Sequence, residues 1–187
     1  MTYTAFDSAR FFDEVRQRLY NGVLSQSQVD GMNFILRGWR LRRGLNSDAR
    51  HPAYCLATTH HETAFTMQPI TEYGSVDYLL GKEYYPYIGR GYVQLTWEEN
   101  YAKAGEATGE DLLNFPDLAL EPDLAAHIMF EGMENGWFTG RCLKDYFNDK
   151  IDDPVNARQI INGNDKDIAI AEYYFEFLEA LEMSLIK

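Results

Sequence analysis

Apolar residues recur at three- and four-residue intervals along most of this 187-residue chain, the spacing that gives a helix one apolar face. The segment SARFFDEVRQRLYN sets Phe11, Phe12, Val15 and Leu19 on one side, and the Asn21-Gly22 pair after it is a stop signal. In SQSQVDGMNFILRGW, Ser25 and Gln28 have capping-box spacing, and Val29, Met32, Leu36 and Trp39 form the next stripe. A third helix is predicted over ARHPAYCLATTHHE, with Pro52 tolerated in its first turn. Its small residues Ala53 and Ala57 allow close packing, which suits a central buried helix ending at Glu62.

Between about 66 and 97 the helical period is lost. Pro69, Gly74, Gly81, Pro86, Gly89 and Gly91 interrupt it, and YIGRGYVQLTW alternates as a short hairpin would. Helical patterns then resume in WEENYAKAGEATG, PDLAAHIMFEGMENGWF, GRCLKDYFN, PVNARQIING and DKDIAIAEYYFEFLEALEMSLI. The expected class is α+β, mainly helical: one domain over residues 1–187 with a small irregular, β-containing insert at about 66–97 and a concave site beside it.

Composition narrows the function. Apolar residues are 45% of the chain, so a packed core is expected, and no stretch approaches the length of a membrane span. The opening MTYTAFDSARFFDEV is mixed and acidic, unlike a secretion or transit signal, which predicts residence in the cytoplasm. Cys55 and Cys142 are read as free thiols. Residues 1–97 hold 10 Lys/Arg against 9 Asp/Glu, and residues 98–187 hold 7 against 20. That acidic half argues against nucleic acid as a ligand. Arg37, Arg40, Arg42, Arg43 and Arg50 form a local exception, read either as a solvated helix end or as a face toward an anionic polymer.

Metal chemistry is disfavoured, because His60 and His61 are adjacent and position 65, where a helical zinc motif needs its second histidine, is Phe. No nucleophile elbow and no phosphate-binding glycine loop occurs. What remains is a pair of carboxylates, Glu62 and Glu72, separated by a proline bend. Glycoside hydrolysis needs one protonated carboxyl and one ionised one. Glu62, following an apolar helix, suits the acid, and Glu72, in a polar loop, suits the base.

Several segments, taken in order, carry a resemblance. HHETAF, then YIGRGYVQLTWEENYAKAGEATGEDLLNFPDLAL, then ARQIINGN resemble the glycoside hydrolase family 19 chitinases and related phage endolysins over about 62–163. The N-terminal FFDEVRQRLYNGVLSQSQVDGMNFIL is similar to the start of many lysins of that group. The resemblance implies a lysozyme-like fold and inverting hydrolysis of β-1,4-linked N-acetylhexosamine polymers without a cofactor. It implies Glu62 as general acid, Thr96 as a holder of the attacking water, and Gln94, Asn100 and Asn162 as sugar-binding residues. Endolysin spacing points to Glu72 as the second carboxylate, whereas plant-type spacing points to Glu83. Other readings stay open: Thr96 with Glu99 as a capping box, Asn100 as a first-turn residue, and Asn162-Gly163 as a turn.

The function expected is therefore an endolysin, a monomer acting on peptidoglycan glycan strands, without stable membrane insertion and dependent on a holin-like pore for access. The rivals are a chitinase, an inactive glycan-binding phage protein, and a metalloamidase built on His60 or His61.

Overall fold

The computed structural model describes residues 2–187, and it is mainly helical. Helix α1 (Ser8–Leu19) is capped by Asp7, whose carboxylate accepts from the Arg10 amide, and it stops where Asn21 and Gly22 turn to positive φ. Helix α2 (Gln26–Arg43) opens on the expected capping box, with Ser25 and Gln28 each receiving the other's backbone N–H. Helix α3 (Arg50–Glu62) is buried at every residue from Pro52 to His60. It packs chiefly on α8 (Asp167–Ser184), which turns Ile170, Tyr174, Phe177 and Leu181 toward it at helical spacing. Helix α6 (Pro122–Asn135) closes the core from the other side against α2.

The chain ends are joined. Strand β1 (Ala5–Phe6) pairs antiparallel with β4 (Leu185–Ile186), a link no alternation in the sequence announced. The insert is mostly irregular. Strand β2 (Ile70–Thr71) pairs with β3 (Arg90–Gly91), and between them lies one short helix, α4 (Val76–Leu80). The hairpin expected over 87–97 shrinks to a tight loop in which Arg90 and Leu95 exchange both backbone hydrogen bonds. Left-handed Gly91 and Gln94 bend the chain too sharply there for a longer ladder.

Beyond it, α5 (Glu98–Thr108) forms as expected, while GRCLKDYFN yields only the single turn α7 (Leu143–Tyr146). PVNARQIING forms a 3-10 turn, Asn156–Ile160, in place of a full helix. So short a segment lacks the length to sustain α geometry.

The turn after α3 delivers Glu62 to the surface. Thr63 is fully buried: its hydroxyl donates to the Thr59 carbonyl at 2.7 Å and accepts the Met67 amide at 3.1 Å. Gly31 of α2 lets this turn come close, because a Cβ there would stand 1.7 Å from the Met67 carbonyl oxygen. Four of the five clustered arginines are paired within the protein. Arg37, Arg42 and Arg43 of α2 pair with Asp123, Glu131 and Glu134 of α6, and Arg50 pairs with Asp48. Arg40, in the last turn of α2 with Arg42 and Arg43, stays exposed, as the helix-end reading expected, while the pairing of the others leaves no open cationic face.

Candidate active site

Between the helical body and the insert lies a cavity of about 330 Å3 lined by Glu62, Val93, Gln94, Thr96, Trp97, Asn100, Phe138, Ile161 and Asn162. Five of the six residues singled out from sequence therefore share one surface. They arrive from three directions: Glu62 from the end of α3, Gln94 to Asn100 from the loop entering α5, and Asn162 from beyond the 3-10 turn.

The environment of Glu62 differs from the apolar one expected. Its Oε1 accepts a 2.6 Å hydrogen bond from Nη1 of Arg158, a residue only 3% exposed, whose Nε in turn donates to the Asp165 carbonyl. This guanidinium, 96 positions away in sequence, is a feature the helix pattern could not convey. Among the described residues, Oε2 of Glu62 has no protein partner and is left for a ligand.

Glu72 is not part of the cavity lining, but it is held one contact away. Its amide donates to the Gly89 carbonyl at 2.7 Å, and its Oε2 accepts from the Gly89 amide at 3.2 Å. Gly89 in turn lies against Gln94, since a Cβ there would stand 2.8 Å from Gln94 Oε1. Oε1 of Glu72 accepts from the Tyr84 hydroxyl at 2.9 Å. Glu83, the alternative second carboxylate, is exposed and makes no such link to the cavity wall.

The polar side chains each have one half committed and one half free. Gln94 spends its NH2 on the carbonyls of Ile70 and Gly91, pinning β2 to β3 and leaving Oε1 as an acceptor. Its φ of 54° and the 75° of Trp97 are left-handed, a strain that concentrates at the site. The Thr96 hydroxyl donates to the Gln94 carbonyl at 2.7 Å. It can therefore only accept from a ligand or water. The alternative reading of Thr96 with Glu99 as a capping box does not hold, because Trp97 occupies the N-cap position. Asn100 Nδ2 donates to the Thr96 carbonyl, and Asn162 Oδ1 accepts the Gly163 amide as its turn reading expected, so both keep the other end of the amide free.

The histidines divide. His60 is buried in an aromatic nest of Tyr20, Phe65, Tyr173 and Phe177, with Nδ1 3.0 Å from the Tyr20 hydroxyl. Burial, and secondarily the neighbouring His61, lowers its pKa to about 4. His61 is only partly buried, and burial lowers its pKa as well. Among the described residues no cluster of three His, Cys, Asp or Glu is placed to hold a metal ion.

Two residues of the site were missed from sequence, Arg158 behind Glu62 and Trp97 in the cavity wall. Arg158 lies in the quoted ARQIING, four positions before Asn162, where its polar partner is invisible. Trp97 directly follows the QLT motif, but nothing in the pattern says that it stays 51% exposed in the cavity wall.

A helical body with a small β-lobe and an acid-bearing cleft between them is the lysozyme-like architecture. The family model for glycoside hydrolase family 19, chitinase class I, matches residues 44–151, and the chain belongs to that family. Endochitinase 1 of Theobroma cacao is 36% identical over 122 residues, covering 54% of this chain and 37% of that protein. Inactive chitinase-like protein 1 of Hevea brasiliensis is 58% identical over 71 residues, 38% of this chain and 21% of that one. The chain thus spans less than half the length of these relatives. The fold matches chitinase C from Streptomyces griseus HUT6037 with a TM-score of 0.65 at 21% identity, covering 97% of this chain and 78% of that one.

Proposed function

We propose that this chain hydrolyses β-1,4 linkages of an N-acetylhexosamine glycan by two-carboxylate catalysis, with the glycan strand of bacterial peptidoglycan as its substrate. The observation that carries the reading is the shared cleft: Glu62, Gln94, Thr96, Asn100 and Asn162 line it together, with Glu72 tied to its wall through Gly89. Arg158 fixes Oε1 of Glu62, so Oε2 delivers the proton to the leaving glycosidic oxygen as the bond from C1 breaks. Water attacks C1 from the other face and gives one proton to Glu72. Its second hydrogen points at Thr96, whose hydroxyl is free only to accept, and this aims the oxygen lone pair at C1. Glu62 ends ionised and Glu72 protonated, and transfer through solvent resets both.

A host-lysis role belongs to the same proposal and is supported by the lysin-like α1–α2 segment. The enzyme would collect in the host cytoplasm and reach the wall through a holin-like pore. Cytoplasmic expression in a Gram-negative host should then leave cells intact until the inner membrane is permeabilised, and lyse them promptly afterwards.

A second reading, chitin as substrate, is favoured by two observations. The net charge is −12, and of the clustered arginines that could meet an anionic wall all but Arg40 are paired within the protein. Digestion of purified sacculi, followed by mass spectrometry of the soluble products, separates the readings. Muropeptides with new sugar reducing ends, absent for Glu62→Gln, support peptidoglycan cleavage. Turnover of chitin oligosaccharides with inert sacculi would establish the second reading, and freed peptides with intact glycan would sink both. No turnover of either would leave a glycan-binding protein.

A further inference from the structure

We infer that Tyr84 is a positioning residue for the second carboxylate, fixing Glu72 and coupling it to the aromatic wall of the cleft. The inference rests on the reading of Glu72 as the base. Both oxygens of Glu72 are held, and both donors come from one loop: the Tyr84 hydroxyl at 2.9 Å from Oε1 and the Gly89 amide at 3.2 Å from Oε2. A carboxylate offers about four lone-pair directions, so two donors set its rotamer and still leave acceptor capacity for a water.

The two donors differ in kind. The Gly89 amide is backbone, locked beside β3, whereas Tyr84 reaches Glu72 with a side chain whose ring has a second contact. That ring packs edge-on against Trp97, with centroids 5.1 Å apart and planes at 65°. Trp97 is the half-exposed indole of the cavity wall. A sugar stacked on Trp97 would therefore restrain the Tyr84 ring, and through its hydroxyl the Glu72 carboxylate, at the moment the base is needed. Burial, together with the hydrogen bond to Glu72, raises the Tyr84 phenol above its ordinary value, so the group remains a donor across neutral pH.

Tyr84→Phe keeps the ring against Trp97 and removes only the hydroxyl. Initial rates on sacculi and on chitin hexasaccharide, with melting temperature, should be compared among wild type, Tyr84→Phe, Tyr84→Ala and Glu72→Gln. Losing one hydrogen bond to a charged group predicts kcat down by roughly tenfold in Tyr84→Phe. KM should stay within about twofold, because the wall that holds the sugar is intact, and the melting temperature should hold. Tyr84→Ala should lose kcat and also raise KM, since Trp97 loses its packing partner. An inactive Glu72→Gln beside a Tyr84→Phe with wild-type kcat would overturn the inference alone. A fully active Glu72→Gln would overturn the reading of the base and the inference with it. Parallel loss of kcat, KM and melting temperature in Tyr84→Phe would reduce Tyr84 to a structural role.

Discussion

Arg158 Nη1 stands 2.6 Å from Oε1 of Glu62, and the arginine making that contact is almost wholly buried. Arg158 also ties the Asp165 carbonyl, so one side chain joins the candidate acid to the segment leading into α8. Replacing it leaves Glu62 without its partner. Breaking a buried pair by removing one member costs about 3–5 kcal/mol. Arg158→Met should therefore lower unfolding free energy by that order and reduce turnover at least a hundredfold, read by urea titration and initial rates. Arg158→Lys should rescue neither fully, because lysine lacks the fork that holds Glu62 and Asp165 together.

Trp97 predicts a different signature. An exposed indole in a glycan cleft contributes apolar contact to a bound sugar, about 1.5–3 kcal/mol for a large side chain. Trp97→Ala should raise KM by about tenfold or more with little change in melting temperature. An unchanged KM would remove Trp97 from the binding surface.

His60 makes stability pH-dependent. Its folded pKa, lowered to about 4, lies below the ordinary 6.5, so the unfolded chain binds the proton more readily. Stability is full above pH 6.5 and falls as pH drops from there toward 4. The loss should reach about 2 kcal/mol by pH 5. Urea titrations at pH 7.5, 6 and 5 check the slope, and a His60→Phe variant should flatten it while losing the bond to Tyr20.

The third residue of the H-E-T motif has a structural duty. Thr63 bridges the Thr59 carbonyl and the Met67 amide inside the turn that presents Glu62. Thr63→Val keeps the shape and deletes both hydroxyl bonds, leaving the buried Met67 amide unpaired while the Thr59 carbonyl keeps the Thr63 amide at 3.0 Å. The expected loss is about 1–3 kcal/mol, by chemical denaturation, with turnover reduced through misplacement of Glu62.

How much of this was legible follows from range. The amphipathic stripes of α1, α2 and α8, the capping box at Ser25, and the buried character of α3 are local signals, and they translate directly into structure. So does the clustering of Glu62, Gln94, Thr96, Asn100 and Asn162, although for these it was the family resemblance and not their spacing that pointed the way. Contacts between distant segments were not legible. The β1–β4 pairing joins the two ends of the chain, Arg158 meets Glu62 across most of the fold, and the α2 arginines find acids on α6. One-dimensional periodicity also mistook the short segments 140–148 and 154–163 for longer helices, because it reports a face and not the length that tertiary packing allows.

The most direct test of the two-carboxylate mechanism is the anomeric configuration of the first product, followed by proton NMR within the first minutes of glycan hydrolysis. Attack by a water that Glu72 activates opposite the leaving group inverts C1, so the new reducing end of a β-linked substrate must appear first as the α-anomer. Initial release of the β-anomer would contradict the account, because retention requires an intermediate that a water poised between Glu62 and Glu72 does not form.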